Sequence, residues 1–197
     1  MWMNKRIVVG VTGASGSPYL LRFLRVLVEA GVDVHLVISS LGKRLLVEES
    51  GVKSFDAEGF CISDYYDQLT MHNDNDLGAT IASGTFLHDG MIILPCSSNT
   101  LGAVASGITN TLVQRAAAVT LKERRNLVIA HRETPISLID LRNMTTVAQA
   151  GGTIAPLSPG FYMMPESIED VVDFMVGKLA DLLGVEHTLP VRWTPAV

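Results

Sequence analysis

Two cysteines in 197 residues, Cys61 and Cys96, supply no disulfide framework and no CxxC pair. Disulfide-stapled scaffolds and CxxC redox or zinc motifs are excluded with them. Aromatic residues are also scarce, at 6%, and none is interleaved among the basic residues where stacked bases would need it. An overall positive charge is missing too: the formal net charge is −5, which argues against nucleic acid as a general partner. Finally, no apolar run approaches the roughly 18 residues needed to span a bilayer. The basic start Asn4-Lys5-Arg6 leads into only "IVVGV" before "TGASG", shorter than the ~7–15-residue apolar core of a secretory signal. The expected location is therefore the cytoplasm. Hydrophobic content is nonetheless 48%, with mean hydropathy +0.32. That surplus, without a membrane segment, predicts buried subunit interfaces.

What is present reads as alternating strands and helices. "RIVVGVT" is a compact β-branched run followed by the turn "GASGS". Pro18 suits the first turn of the helix "PYLLRFLRVLVEAG" and Gly31 its stop. "DVHLVIS" and "SLGKRLLVEES" add a strand and a helix, completing a βαβ unit. Residues 51–76 are the least regular and are expected to be a long loop or poorly paired excursion. "GMIILPC" is a buried strand, "SSNTLGAVASG" a capped helix, and "TNTLVQRAAAVTLKER" a helix with Thr109 or Asn110 as N-cap. A strand at 126–130, the helix "SLIDLRNMTTVAQAG", the short strand "TIAPL" and a final helix capped by Ser167 and ended by Gly184 follow. The expected fold is a doubly wound, Rossmann-like (flavodoxin-like) α/β domain with a parallel sheet. It spans residues 1–197 as one domain, with 185–197 as a C-terminal tail.

The first turn places Gly10, Gly13 and Gly16 at G-x-x-G-x-x-G spacing with Thr12 and Ser15. Backbone N–H groups at a helix start can cradle a phosphate there, or the glycines can serve tight packing alone. The spacing is neither the dinucleotide G-x-G-x-x-G nor a Walker A loop. Strand two ends in Ile38-Ser39-Ser40 without the acid that NAD requires. A mononucleotide, FMN in particular, is favoured. The segment "PCSSNTL" offers Ser97, Ser98 and Asn99 at a helix start, for capping or ligand contact. Between Arg115 and Arg132 lie five cations against the single acid Glu123, a local net of +4, which suits a small anionic ligand. Ligands of an open α/β sheet gather beyond the carboxyl ends of its strands, so Arg132 and Glu133 should stand beside the glycine turn. Arg115 and Lys122, seven apart, share a helix face and are expected to reach the same rim. Arg124 and Arg125 are read as helix C-terminal cations complementing the dipole.

Taken together, "GVTGASGSPYLLRFL", "DGMIILPCSSNTL", "RAAAVTLKERRNLVIAHRETP", "LRNM", "GGTIAP" and "PGFYMMPESIEDVVDFMVGK" resemble, in order and spacing, the UbiX-like flavin prenyltransferases. The resemblance covers nearly the whole chain. It implies a metal-free enzyme that joins a dimethylallyl group from dimethylallyl monophosphate to N5 and C6 of reduced FMN. The prenylated FMN would pass to a UbiD-type decarboxylase, and the protein would form a homo-oligomer, commonly a dodecamer. Carried onto this chain, the resemblance assigns Ser15 near flavin N5 within Gly13-Ala14-Ser15, and Ser39, Ser97, Thr100 and Arg115 to the flavin. It assigns Lys122, Arg132, Tyr162 and Lys178 to the prenyl phosphate, partly across a subunit boundary. Glu133 would protonate the departing phosphate, and Glu49 would assist proton movements on the flavin. Three positions depart from the pattern: Lys178 stands where arginine is frequent, Ala118 replaces the aspartate of "RAAD", and His131 replaces the proline before "RE". His131 is expected to be a surface or satisfied histidine. The alternatives are an FMN-dependent oxidative decarboxylase of peptidyl-cysteine type and a non-catalytic flavin carrier.

Overall fold

The computed structural model describes residues 5–191; part of the expected tail, 192–197, lies outside them. The expected strands appear as β1 (Arg6–Val11), β2 (Asp33–Ile38), β4 (Gly90–Cys96), β5 (Leu127–His131) and β6 (Thr153–Ile154). With β3 (Leu69–Asn73) they form one six-stranded sheet in the order β3-β2-β1-β4-β5-β6. Every neighbouring pair is parallel, as expected of a doubly wound sheet. Helices α1 (Ser17–Glu29), α2 (Ser40–Ser50) and α6 (Ile168–Leu182) lie on one side. Helices α3 (Ser98–Ala105), α4 (Leu112–Lys122) and α5 (Leu138–Gln149) lie on the other.

Covering both faces makes the central strands uniformly apolar. All seven residues of β4 are buried, as are five of the six in β1. Val9, Leu36, Ile92 and Val128 pack toward α1 and α6, whereas Ile93, Leu127 and Ile129 pack toward α3 and α4. The order reverses between β1 and β4, and a crevice forms beyond their carboxyl ends.

Three expectations change. The 51–76 excursion contains a 3₁₀ segment, Ser63–Gln68, and then the edge strand β3, whose Leu69–Asn73 pairs with Val34–Ile38. The α4 cap is Thr111, not Thr109 or Asn110: its side chain accepts from Gln114 N while the Gln114 side chain accepts from the Thr111 amide. That reciprocal box needs the glutamine three residues on, which only Thr111 has. Third, β5 includes His131, which is 1% exposed, so it is a core residue and not a surface one.

Candidate active site

The turns after β1 and β4 are stitched across the crevice by Thr12, itself buried. Its hydroxyl donates to the Pro95 carbonyl at 3.0 Å and accepts from the Ser97 amide at 2.9 Å. In the first turn Gly16 has φ +137°, and a side chain at Gly13 would meet Leu41 Cβ at 2.7 Å. Those glycines are thus required by the turn itself and by close packing of α2. Ala14 is buried and Ser15 is exposed at the tip.

The head of α1 already holds an anion. Glu49 Oε2 accepts from Gly16 N at 3.0 Å, Ser17 N at 2.9 Å and Ser17 Oγ at 2.9 Å. Burial opposes its charge, but the hydrogen bonds from Gly16, Ser17 and Ser15 prevail and hold its pKa below the ordinary carboxylate value. A carboxylate of the chain therefore occupies the phosphate cradle considered for this turn. No local motif marks this contact, since Glu49 lies a whole βα unit away.

Ser39 caps α2, accepting from Gly42 N at 3.1 Å, and Ser97 caps α3, with Thr100 Oγ1 3.2 Å from its hydroxyl. At the end of β5, Arg132 N donates to Cys96 O at 3.1 Å, which brings Arg132 and Glu133 to the same rim. Arg132 Nε is buried without a hydrogen-bond partner. A buried guanidinium N–H with no acceptor is costly, and an anionic ligand on the rim would satisfy it. Glu133 is exposed, with its Oε1 accepting from Thr134 N at 3.1 Å. Tyr162 stands on the loop before α6, its ring edge-on to Phe174 at 5.5 Å.

Two assigned cations are elsewhere in the chain. Lys122 is seven residues beyond Arg115, hence roughly 10 Å further along α4. It faces Glu123 at 2.5 Å, beside the Gly84 loop that leads into β4. That is the amino edge of the sheet, so Lys122 does not share a rim with Arg132: a seven-residue spacing sets a helix face, not an end. Arg115 remains nearer the carboxyl side, its Nε donating to Ala82 O at 3.3 Å. Lys178 is exposed on the far half of α6, whose C-terminus meets Lys5 and Asn126 at the same amino edge. A cleft of about 970 Å³ between α1, α6 and the loop 51–61 is lined by Pro18, Arg22, Phe60 and Asp173. None of the assigned residues lines it. Among the described residues no group of three or more His, Cys, Asp and Glu is placed to hold a metal ion.

The rim thus gathers hydroxyls, helix-start amides, an unsatisfied guanidinium and two carboxylates, a set that fits a flavin phosphate or another anion. Ser17, Ser98 and Asp140 take part in its hydrogen bonding although no sequence motif marked Ser17 or Asp140. The flavoprotein family pattern matches residues 1–180. A flavin prenyltransferase UbiX of Thermoplasma acidophilum is 47% identical over 190 residues, covering 95% of this chain and 99% of its own length. A solved relative in complex with FMN and dimethylallyl pyrophosphate is 40% identical, with TM-score 0.86 over 98% of this chain and all of the other. A dodecameric FMN-dependent UbiX-like decarboxylase from Escherichia coli O157:H7 is 38% identical, with TM-score 0.87 over 96% and 100% of the two chains.

Proposed function

The chain belongs to the flavoprotein family and is a flavin prenyltransferase with FMN as its flavin, and we propose that Arg132 and Glu133 form the core of its prenyl-phosphate site. The observation that supports this placement is the buried Arg132 Nε without an acceptor, one residue from a carboxylate on the rim that also carries the Ser97–Thr100 turn. Reduced FMN, when bound, supplies N5 and C6, the two atoms that receive the prenyl carbons.

The chain's own residues then act on charge and protons. Gly13, Ala14, Ser15, Ser39, Ser97, Thr100 and Arg115 hold the flavin nucleotide. Arg132 neutralises negative charge as the allylic C–O bond of dimethylallyl monophosphate breaks, and Glu133 gives the departing phosphate its proton. Glu49 keeps its charge at the head of α1 and serves as a proton acceptor beside Ser15. Lys122, Tyr162 and Lys178 complete the phosphate site from neighbouring subunits, because Lys122 and Lys178 lie at the other edge of their own chain. Exposed Ile136, Leu138, Ile139, Phe161 and Met164 supply apolar surface for that assembly, which we take to be a homo-oligomer of dodecameric type. The product is passed to a UbiD-type decarboxylase. Both cysteines are free, Cys61 exposed and Cys96 buried, with burial pushing the Cys96 thiol pKa up; we place the enzyme in the cytoplasm, where thiols stay reduced.

The test is to mix the protein with reduced FMN and dimethylallyl monophosphate without oxygen and weigh the flavin. A gain of one prenyl unit is expected. A bound flavin of unchanged mass, with both the monophosphate and the diphosphate as donors, would overturn prenyl transfer as the reaction and with it the prenyl-phosphate role of Arg132 and Glu133.

A further inference from the structure

His131 precedes Arg132 at the end of β5 and is 1% exposed. Its Nε2 lies 3.0 Å from the hydroxyl of Ser98, the first residue of α3. The Ser98 hydroxyl also helps to keep the Asp140 carboxyl of α5 below the ordinary carboxylate range, after the larger effect of Ser137. Asp140 further accepts from the Ser137 amide at 3.1 Å and hydroxyl at 2.6 Å. A proton on Nδ1 would be a buried N–H with no acceptor, so the neutral ring carries its proton on Nε2 and the Ser98 oxygen accepts it.

Nδ1 is left as a bare lone pair, buried and without a partner. A buried acceptor in that state is tolerable, whereas a proton on it would create a buried N–H with no acceptor beside Arg132. The charged groups around the ring are Asp140, Glu133 and Arg132. Burial, reinforced by Arg132, outweighs the two carboxylates and keeps the His131 pKa below the ordinary histidine value. The ring is therefore a neutral donor at working pH.

We propose that His131 is a positioning residue for prenyl transfer: its Nε2–H ties the head of α3, and with it the Ser97–Thr100 turn, to the strand end that carries Arg132 and Glu133. The Arg132 N–Cys96 O bond already joins the two strands; the His131–Ser98 bond joins the helix to them. A proline at this position has no side-chain donor and leaves that tie unmade. This role rests on the prenyltransferase reading for its consequence in rate, while its effect on flavin affinity is independent of that reading.

The experiment compares wild type, His131→Ala, His131→Gln, Ser98→Ala and the double alanine variant. Each is titrated with FMN by flavin fluorescence and assayed for prenyl transfer from about pH 5.5 to 8, a range that spans histidine titration. His131→Ala should weaken FMN binding roughly five- to tenfold, the loss expected of one buried hydrogen bond, and slow transfer at saturating FMN. Glutamine, which carries an N–H to the same oxygen and does not titrate, should recover most of both. The double variant should be no worse than either single one, because both remove the same bond. Wild type should lose more of its rate than His131→Gln toward pH 5.5. Normal FMN affinity and rate in His131→Ala, additive losses in the double variant, or glutamine no better than alanine would each overturn the proposal. If alanine at 131 does not fold, the glutamine and Ser98 variants still decide it. Failure of wild type to transfer a prenyl group would overturn the reaction assigned above and leave the FMN titrations to judge His131.

Discussion

Glu49 and Ser17 are joined twice through one oxygen: Glu49 Oε2 accepts from both the amide and the hydroxyl of Ser17, each at 2.9 Å. With its proton committed to Glu49, the Ser17 hydroxyl must accept from Ser50 Oγ, 2.6 Å away. A negative group at a helix start is favourable, so α2 supplies the charge that caps α1. Glu49→Gln should lower stability by about 1 kcal/mol near neutral pH. The native pKa is below the unfolded one, so Glu49 stabilises fully above the ordinary carboxylate range and loses that contribution as pH falls through its native value. Urea melts of the two proteins should therefore differ at pH 7 and converge in acid. A constant difference would show that charge at the helix head is immaterial.

Arg132 should be replaceable by neither alanine nor lysine. Alanine removes the one buried N–H that, among the described residues, calls for an anion at this place on the rim, and lysine lacks the planar fork. We expect KM for the prenyl phosphate to rise on the order of a hundredfold in Arg132→Ala and about tenfold in Arg132→Lys. Initial rates at varied donor and saturating FMN measure this. An unchanged KM in both would remove Arg132 from the phosphate.

Glu133→Gln preserves shape and removes the proton. It should bind FMN with wild-type affinity and slow prenyl transfer by about 10²-fold. Single-turnover mass spectrometry separates the two quantities. Turnover at the wild-type rate would mean that the departing phosphate takes its proton from another source.

His35 and His72 predict acid sensitivity at the β3 edge. His35 Nδ1 lies 2.9 Å from His72 Nε2, and the rings stack at 5.2 Å. Burial is the main cause that lowers both pKa values, and each ring faces other charges: Asp33 and Arg6 at His35, Asp76 at His72. Native pKa values below the unfolded ~6.5 mean that stability is fully present above that pH and lost as pH falls. The urea midpoint should drop between about pH 7.5 and 5.5, and drop less in His72→Gln. Equal slopes for the two proteins would assign the acid sensitivity elsewhere.

The elements legible in the sequence are those whose burial is nearly complete. β1, β2, β4 and β5 are short apolar runs because both sheet faces are covered, and their following turns mark the rim. β3 escaped because "LTMHN" is an edge strand with no fully buried residue and a pairing partner more than 30 positions away. Thr109, Asn110 and Thr111 are all competent caps, and only the geometry of Gln114 selects one. The rim residues Ser39, Ser97, Arg132 and Glu133 were readable from their place after strands. Lys122 was not, because helix periodicity reports which way a side chain points and not which end of the sheet it reaches. Glu49 and Ser98 meet Ser17 and His131 only through the crossover connections.

Thr12 uses its hydroxyl in both directions, toward Pro95 and from Ser97. A valine of nearly the same shape would strand the Ser97 amide and leave the Pro95 carbonyl only the 3.2 Å bond from the backbone amide of residue 12, so the hydroxyl helps hold the two turns together as a single piece. A receptor whose parts are already locked loses little freedom when it captures its guest. Flavin loading should then be limited by encounter, with an on-rate that barely changes from one turn variant to another, while residence time absorbs the difference.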